Sequence, residues 1–141
     1  DREQLAYELG AAVFIDSAKA HPGAALAAMG GADLIIYAAS STEPAAELIR
    51  GLAVHGQLTL IGADAGSVSV PSSQLVMNAQ TVTGHLTGSA QETQDAMEFA
   101  ALHGIRPIIE QMELEQAPEA IERLRQGKAR FRIVLRTGTT A

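Results

Sequence analysis

Apolar runs and helically spaced apolar positions alternate along this chain almost to its end. Residues 3–9 (EQLAYEL) read as the tail of a helix closed by Gly10, and Ala12–Ile15 as a short strand. His21–Met29 is alanine-rich and predicts a helix ending at Gly30-Gly31, where glycine most easily takes left-handed backbone. Asp33–Ala39 (DLIIYAA) runs apolar, the pattern of a strand covered on both faces. Ser41 is placed to cap the next helix, with Pro44 in its first turn. Ala45, Leu48, Ile49 and Leu52 then follow the i, i+3, i+4, i+7 spacing of one helix face, and His55-Gly56 closes it.

Further along, Gln57–Ile61 predicts a strand, followed by the turn 62–66 (GADAG). Ser67–Val70 alternates as a short edge strand would, Ser73–Asn78 suits a helical turn, and Thr81–Leu86 another strand. Ser89-Ala90-Gln91-Glu92 is a capping box, predicting a helix to about His103 with Gly104 as its stop. Pro107–Glu110 leads into a strand. Ala117, Ala120, Ile121 and Leu124 mark a helix with Pro118 near its start and Gly127 at its end, and Arg130–Arg136 alternates as a final strand. Strand–helix alternation with short connections predicts an α/β layered, mostly parallel sheet. With no linker or tandem repeat, residues 1–141 are expected to form a single domain.

Composition narrows the function. At 141 residues the chain can bury a real core, and its 47% apolar content excludes a disordered tail. The net charge of −6 argues against nucleic acid as a partner, because phosphate binding needs clustered Lys and Arg. No apolar run reaches membrane-spanning length, and the start carries no signal-peptide pattern. Without Cys there is no disulfide, no thiolate nucleophile and no Cys-ligated zinc. Asp1 stands without an initiator Met and the first residues already read as helix, so a piece of a longer chain is expected.

In open parallel sheets, ligands bind beyond the carboxyl ends of the strands. Ala38-Ala39-Ser40, Ile61-Gly62-Ala63 and Gly84-His85-Leu86-Thr87 fall there. Small residues at these ends let a flat ligand reach backbone N–H and C=O groups, and any strand-to-helix turn favours them as well. The G-x-G-x-x-G fingerprint of dinucleotide binding is absent, as is the strand that would precede it. His55 and His103 each precede a glycine at an expected helix end, where a cation complements the helix dipole. His21 begins a helix beside Pro22, and His85 is the histidine at a strand end. A triad of Ser40, His85 and Asp64 can be drawn, but no nucleophile-elbow pattern surrounds any serine. No His, Asp or Glu pair sits at metal-ligand spacing. Arg125, Lys128, Arg130, Arg132 and Arg136 form a basic run, either a solvated edge or an anion contact.

Several stretches, taken in order, resemble the C-terminal part of zinc-dependent alcohol dehydrogenases of the medium-chain dehydrogenase/reductase superfamily. They are Met97-Glu98-Phe99-Ala100-Ala101, Arg106-Pro107-Ile108-Ile109-Glu110, Glu122-Arg123-Leu124-Arg125-Gln126-Gly127-Lys128 and Arg132-Ile133-Val134-Leu135. Upstream, GGADLIIYAAS, GQLTLIGADAG and LAYELGAAVFID are similar to that family's later nucleotide-fold strands and the helix before them. Phe131 departs from the family, which often has Gly there.

The resemblance implies a partial Rossmann-like, doubly wound sheet lacking the first strand and the glycine-rich loop. It implies a truncated nucleotide-binding domain of a larger cytoplasmic enzyme that moves hydride between a small alcohol or aldehyde and NAD or NADP. The catalytic zinc, a Lewis acid, would be held by the part of the enzyme before Asp1, and the isolated chain would be inactive. Matched residue by residue, Arg2 falls near the adenosine ribose, Ala38, Ala39 and Ser40 line the adenine and nicotinamide-ribose side, and Ile61, Gly62 and Ala63 receive the nicotinamide carboxamide. His85 and Thr87 meet the same carboxamide through their main chain, and Arg132 reaches the pyrophosphate. Ser67–Val70 matches the region through which family dimers pair strands. Two rivals stand beside this reading: a zinc-free quinone or enoyl reductase of the same superfamily, which shares this half of the molecule, and, from a different class, a dimerising α/β module that binds no cofactor.

Overall fold

A computed structural model describes residues 2–62 and 64–138. The chain divides into two compact units, one reaching to Thr87 and the other starting at Gly88. The first holds α1 (Arg2–Glu8), α2 (Pro22–Ala28), β1 (Ala32–Tyr37), α3 (Ala45–Leu48), β2 (Leu52–Leu60), α4 (Ser72–Asn78) and β3 (Thr81–Gly84). Its strands form a parallel sheet in the order β1-β2-β3. The second unit holds α5 (Ala90–Leu102), β4 (Ile109–Glu113), α6 (Ala117–Arg125) and β5 (Arg132–Arg136), with β4 and β5 paired in parallel. The expected α/β class with parallel pairing is therefore observed, with separate sheets in the two units.

The core of the first unit lies on one face of its sheet. Ile49 and Leu58 are fully enclosed, with Tyr37, Ala45 and Leu52 beside them and Ile35, Leu60, Leu75 and Val82 packed around. The register sets Ile35 opposite Leu58 and Tyr37 opposite Leu60, so alternate residues of neighbouring strands reach the same face. Burying each large aliphatic side chain stabilises the fold by about 1.5–3 kcal/mol. The opposite face differs from expectation. Leu34 and Ile36, predicted to be covered, stay 55% and 61% exposed, because the helices that supply the core, α3 and α4, pack on the other side.

Helix limits largely follow the sequence signals. The capping box of α5 forms as read, Ser89 accepting the Glu92 N–H while Glu92 accepts the Ser89 N–H. Four expectations need correction. The helix predicted to run to His55 stops after a 3-10 turn, Ile49–Gly51, and β2 begins at Leu52. Leu52 suits either element by spacing, and its position opposite Ala32 in the ladder makes it strand. Register slips between this pair and Leu34–Gln57, His55 takes φ +65°, and the buried Gln80 amide donates to the Leu52 and Ala53 carbonyls along this bulge. Ser41 does not cap α3: Pro44 holds the N-cap position without a side-chain bond. No strand forms over 12–15 or 67–70, since no described segment offers either one a ladder. The alternation at 67–70 is real in burial all the same, with Val68 and Val70 packed on the core and Ser67 and Ser69 exposed.

Candidate functional site

Three parallel strands end at one edge of the first unit, and the segments after them make the site. Ala38, Ala39 and Ser40 follow β1, Ile61 and Gly62 follow β2, and His85 and Thr87 follow β3. The ladder continues one step past the strands: Ile61 and Gly62 N–H both donate to the Tyr37 carbonyl, at 3.0 and 3.2 Å, and His85 N–H to the Leu60 carbonyl at 2.9 Å. Ile61, Gly62 and His85 therefore have their donors occupied, and what their main chain can offer a ligand is the carbonyl oxygen. A side chain at Gly62 would be driven into the Ala39 carbonyl, so glycine is required where the two loops approach backbone to backbone. Ala38, Ala39, Ser40, Ile61, His85 and Thr87 are all exposed, leaving this edge open to a ligand.

The other expected site residues fall elsewhere. Ala63 lies outside the described residues. Arg2 opens α1 with an exposed side chain. Arg132 begins β5 in the second unit, where it lines a cavity of about 250 Å³ with Ala120, Ile121, Leu124 and Phe131.

Sequence reasoning missed the feature that joins the loops. Asp64 Oδ1 accepts from the Thr42 hydroxyl (2.7 Å) and the Gly66 N–H (2.8 Å), while Oδ2 accepts from the Thr42 N–H (3.0 Å). Hydrogen bonds to a carboxylate favour its charged form, and the Thr42 hydroxyl, then the Thr42 and Gly66 amides, hold the Asp64 carboxyl below the ordinary carboxylate range. The buried Tyr37 hydroxyl donates to the Ser41 carbonyl, bracing the same loop. Burial, and secondarily the Asp64 charge, push the Tyr37 phenol upward. The Asp64-x-Gly66 spacing is a turn signal in sequence; Thr42, 22 residues away, carried none.

No triad forms. Asp64 is engaged by Thr42 and Gly66, and among the described residues no hydrogen bond links it to Ser40 or His85. The remaining histidines are accounted for locally. His21 faces Glu47 at 3.6 Å, His103 ends α5 with its ring tilted 41° to that of Phe99 and the centroids 4.2 Å apart, and His55 sits in the β2 bulge rather than at a helix end. Among the described residues no group of three or more His, Cys, Asp or Glu could hold a metal. No described helix is long and apolar enough to cross a membrane.

Comparison with known proteins gives the family and the fold. The zinc-binding dehydrogenase family model matches residues 1–102. An alcohol dehydrogenase of Penicillium expansum is 37% identical over 134 residues, covering 95% of this chain and 39% of that protein. One from Geobacillus stearothermophilus is 31% identical, with 96% and 40% covered. The solved cinnamyl alcohol dehydrogenase of Sorghum bicolor superposes with a TM-score of 0.81 at 29% identity, covering 95% of this chain and 37% of that one. A zinc-binding-domain alcohol dehydrogenase of Burkholderia ambifaria, at 22% identity and TM-score 0.86 over 98% of this chain and 40% of that one, shares the fold. The chain thus spans about two fifths of the length of the relatives it matches. Its parallel α/β architecture is that of their Rossmann-like part, and the chain belongs to the zinc-binding dehydrogenase family.

Proposed function

We propose that the strand-end edge of the first unit receives the nicotinamide half of NAD or NADP, as part of an alcohol dehydrogenase that moves hydride between a small alcohol or aldehyde and the nicotinamide ring. The observation that carries this reading is the set of main-chain groups at the edge. A primary carboxamide has two N–H donors and one acceptor oxygen. The carbonyls of Ile61, Gly62 and His85 suit the donors. The Thr87 N–H, which no described backbone group accepts, suits the oxygen. Ala38, Ala39 and Ser40, small and exposed, leave room for the nicotinamide ribose.

The hydride chemistry is the cofactor's own, and this chain contributes binding and orientation. Arg2 and Arg132 are assigned to the adenosine ribose and the pyrophosphate on charge and on the family likeness. The described residues offer zinc no ligand set, so no step of the chemistry is assigned to a metal held by this chain. The whole enzyme is placed in the cytoplasm. Its subunits would pair through residues 67–70, where Val68 and Val70 anchor the segment and its backbone finds no ladder among the described residues.

Calorimetric titration of the chain with NADH and with ADP-ribose tests the reading. Tighter binding of NADH is expected, because the residues at the edge address the nicotinamide end. Equal affinity for the two, or no binding of NADH, would overturn it.

A further inference from the structure

The two loops that carry most of the edge are joined by a carboxylate that cofactor contact does not use. Backbone bonds from Ile61 and Gly62 to Tyr37 fix the loops where they leave the sheet. Beyond that point, among the described residues, the side-chain bonds that cross between them are those of Thr42 and Asp64. Thr42 is buried and 22 residues from its partner, so the pair fixes a spacing that neither loop sets alone. Gly66 leaves the space this requires, because a side chain there would strike both the Thr42 hydroxyl and the Asp64 carboxylate. Tyr37 adds a brace inside the first loop through the Ser41 carbonyl.

We propose that Asp64 is a positioning residue which, through Thr42, sets the gap between the Ala38–Ser40 and Ile61–Gly62 segments and so seats the nicotinamide ring. This rests on the cofactor reading above. The carboxylate takes its three bonds from neutral donors, so it holds two loops at once without drawing a cation into the site. Losing it would leave the sheet and its core in place, since the cluster around Ile49 and Leu58 is built from apolar side chains and includes neither Thr42 nor Asp64. The gap would widen, and a ring whose ribose lies against one segment and whose carboxamide meets the other would lose alignment.

The test uses the 141-residue chain with Asp64→Asn, Thr42→Val and Thr42→Ser, with NADH as the probe. Saturation-transfer NMR reports contact at the nicotinamide and adenine protons separately, and amide hydrogen exchange reports Thr42, Gly66 and the β2–β3 ladder. Asp64→Asn and Thr42→Val are expected to expose the Thr42 and Gly66 amides while the ladder stays protected. Both should remove most of the transfer to the nicotinamide protons, with adenine transfer held. Thr42→Ser, which keeps the hydroxyl, should behave as the parent chain. Parent-level nicotinamide transfer in Asp64→Asn would overturn the positioning role and leave the cofactor reading standing. Equal loss at adenine and nicotinamide together with loss of ladder protection would reduce Asp64 to a structural group. Absence of nicotinamide transfer in the parent chain would remove the cofactor reading and this proposal with it.

Discussion

The first unit encloses Ile49 and Leu58 completely, whereas the most buried apolar residues described in the second are Ala120 and Ala129, at 6% and 9% exposure. Both units place helices on parallel strands with similar sequence patterning. The first has three strands and packs helices and loops on one face; the second has two strands, and its amphipathic α6 leaves Ile121 and Leu124 52% and 63% exposed. A two-stranded sheet with little covered surface is marginal in water, while three strands with an apolar face can stand alone. Patterning alone therefore does not report burial. A stripe is stabilising only where another element covers it, and the unit with the covered stripe carries the strand-end edge.

The same contrast recurs in the anchoring carboxylates. Asp64 is held by neutral donors across two loops. Glu110 accepts the Arg130 N–H and the Arg123 guanidinium, joining β4 to α6 and to the segment before β5. Both carboxyls lie below the ordinary range, Asp64 through the Thr42 hydroxyl first and Glu110 through the Arg130 amide first.

The contrast breaks most readily in the core. Leu58→Ala should cost the first unit about 2–5 kcal/mol, and Ile121→Ala in the second should stay within about 0.5 kcal/mol, both read from denaturant midpoints. Comparable losses would mean the second unit is buried to a similar degree in solution.

A smaller effect separates the carboxylates from ordinary ones. A depressed folded value means each contributes stability that is present above the unfolded value and lost as pH falls through the folded one. Protection of the Thr42 and Gly66 amides should therefore persist on acidification through the ordinary carboxylate range and vanish only below it. Loss of protection at the ordinary value would contradict the Thr42–Asp64 geometry.

The smallest effect distinguishes the two anchors from each other. At about 1 M salt, where charges are screened beyond ~3 Å, exchange near Glu110 should quicken because Arg123 is a cation on a partly exposed pair. Thr42 and Gly66, which are neutral donors, should exchange unchanged. Equal sensitivity would show that a cation also serves Asp64.

Much of the fold was legible in local signals. The box at Ser89 and Glu92 and the apolar run of β1 each depend on residues close in sequence, so their patterns survive folding intact. Leu52 was misread because one apolar residue at i+7 satisfies a helix stripe and a strand equally, and the pairing with Ala32 that decides it is 20 positions away. Leu34 and Ile36 were read as covered because an apolar run records hydrophobicity and not what packs on it. At the site, the strand ends were legible from small residues after apolar runs. The Thr42–Asp64 bonds were not, because they connect loops that only the parallel sheet brings side by side.

The central claim is that this edge of the first unit takes the nicotinamide end of the cofactor. Its most direct test follows the NADH titration residue by residue, through backbone amide shifts. The account predicts saturating shifts concentrated at Ala38–Ser40, Ile61–Gly62 and His85–Thr87, with ADP-ribose leaving Ile61, His85 and Thr87 still. Shifts that spare these positions, or that ADP-ribose reproduces there in full, would contradict it.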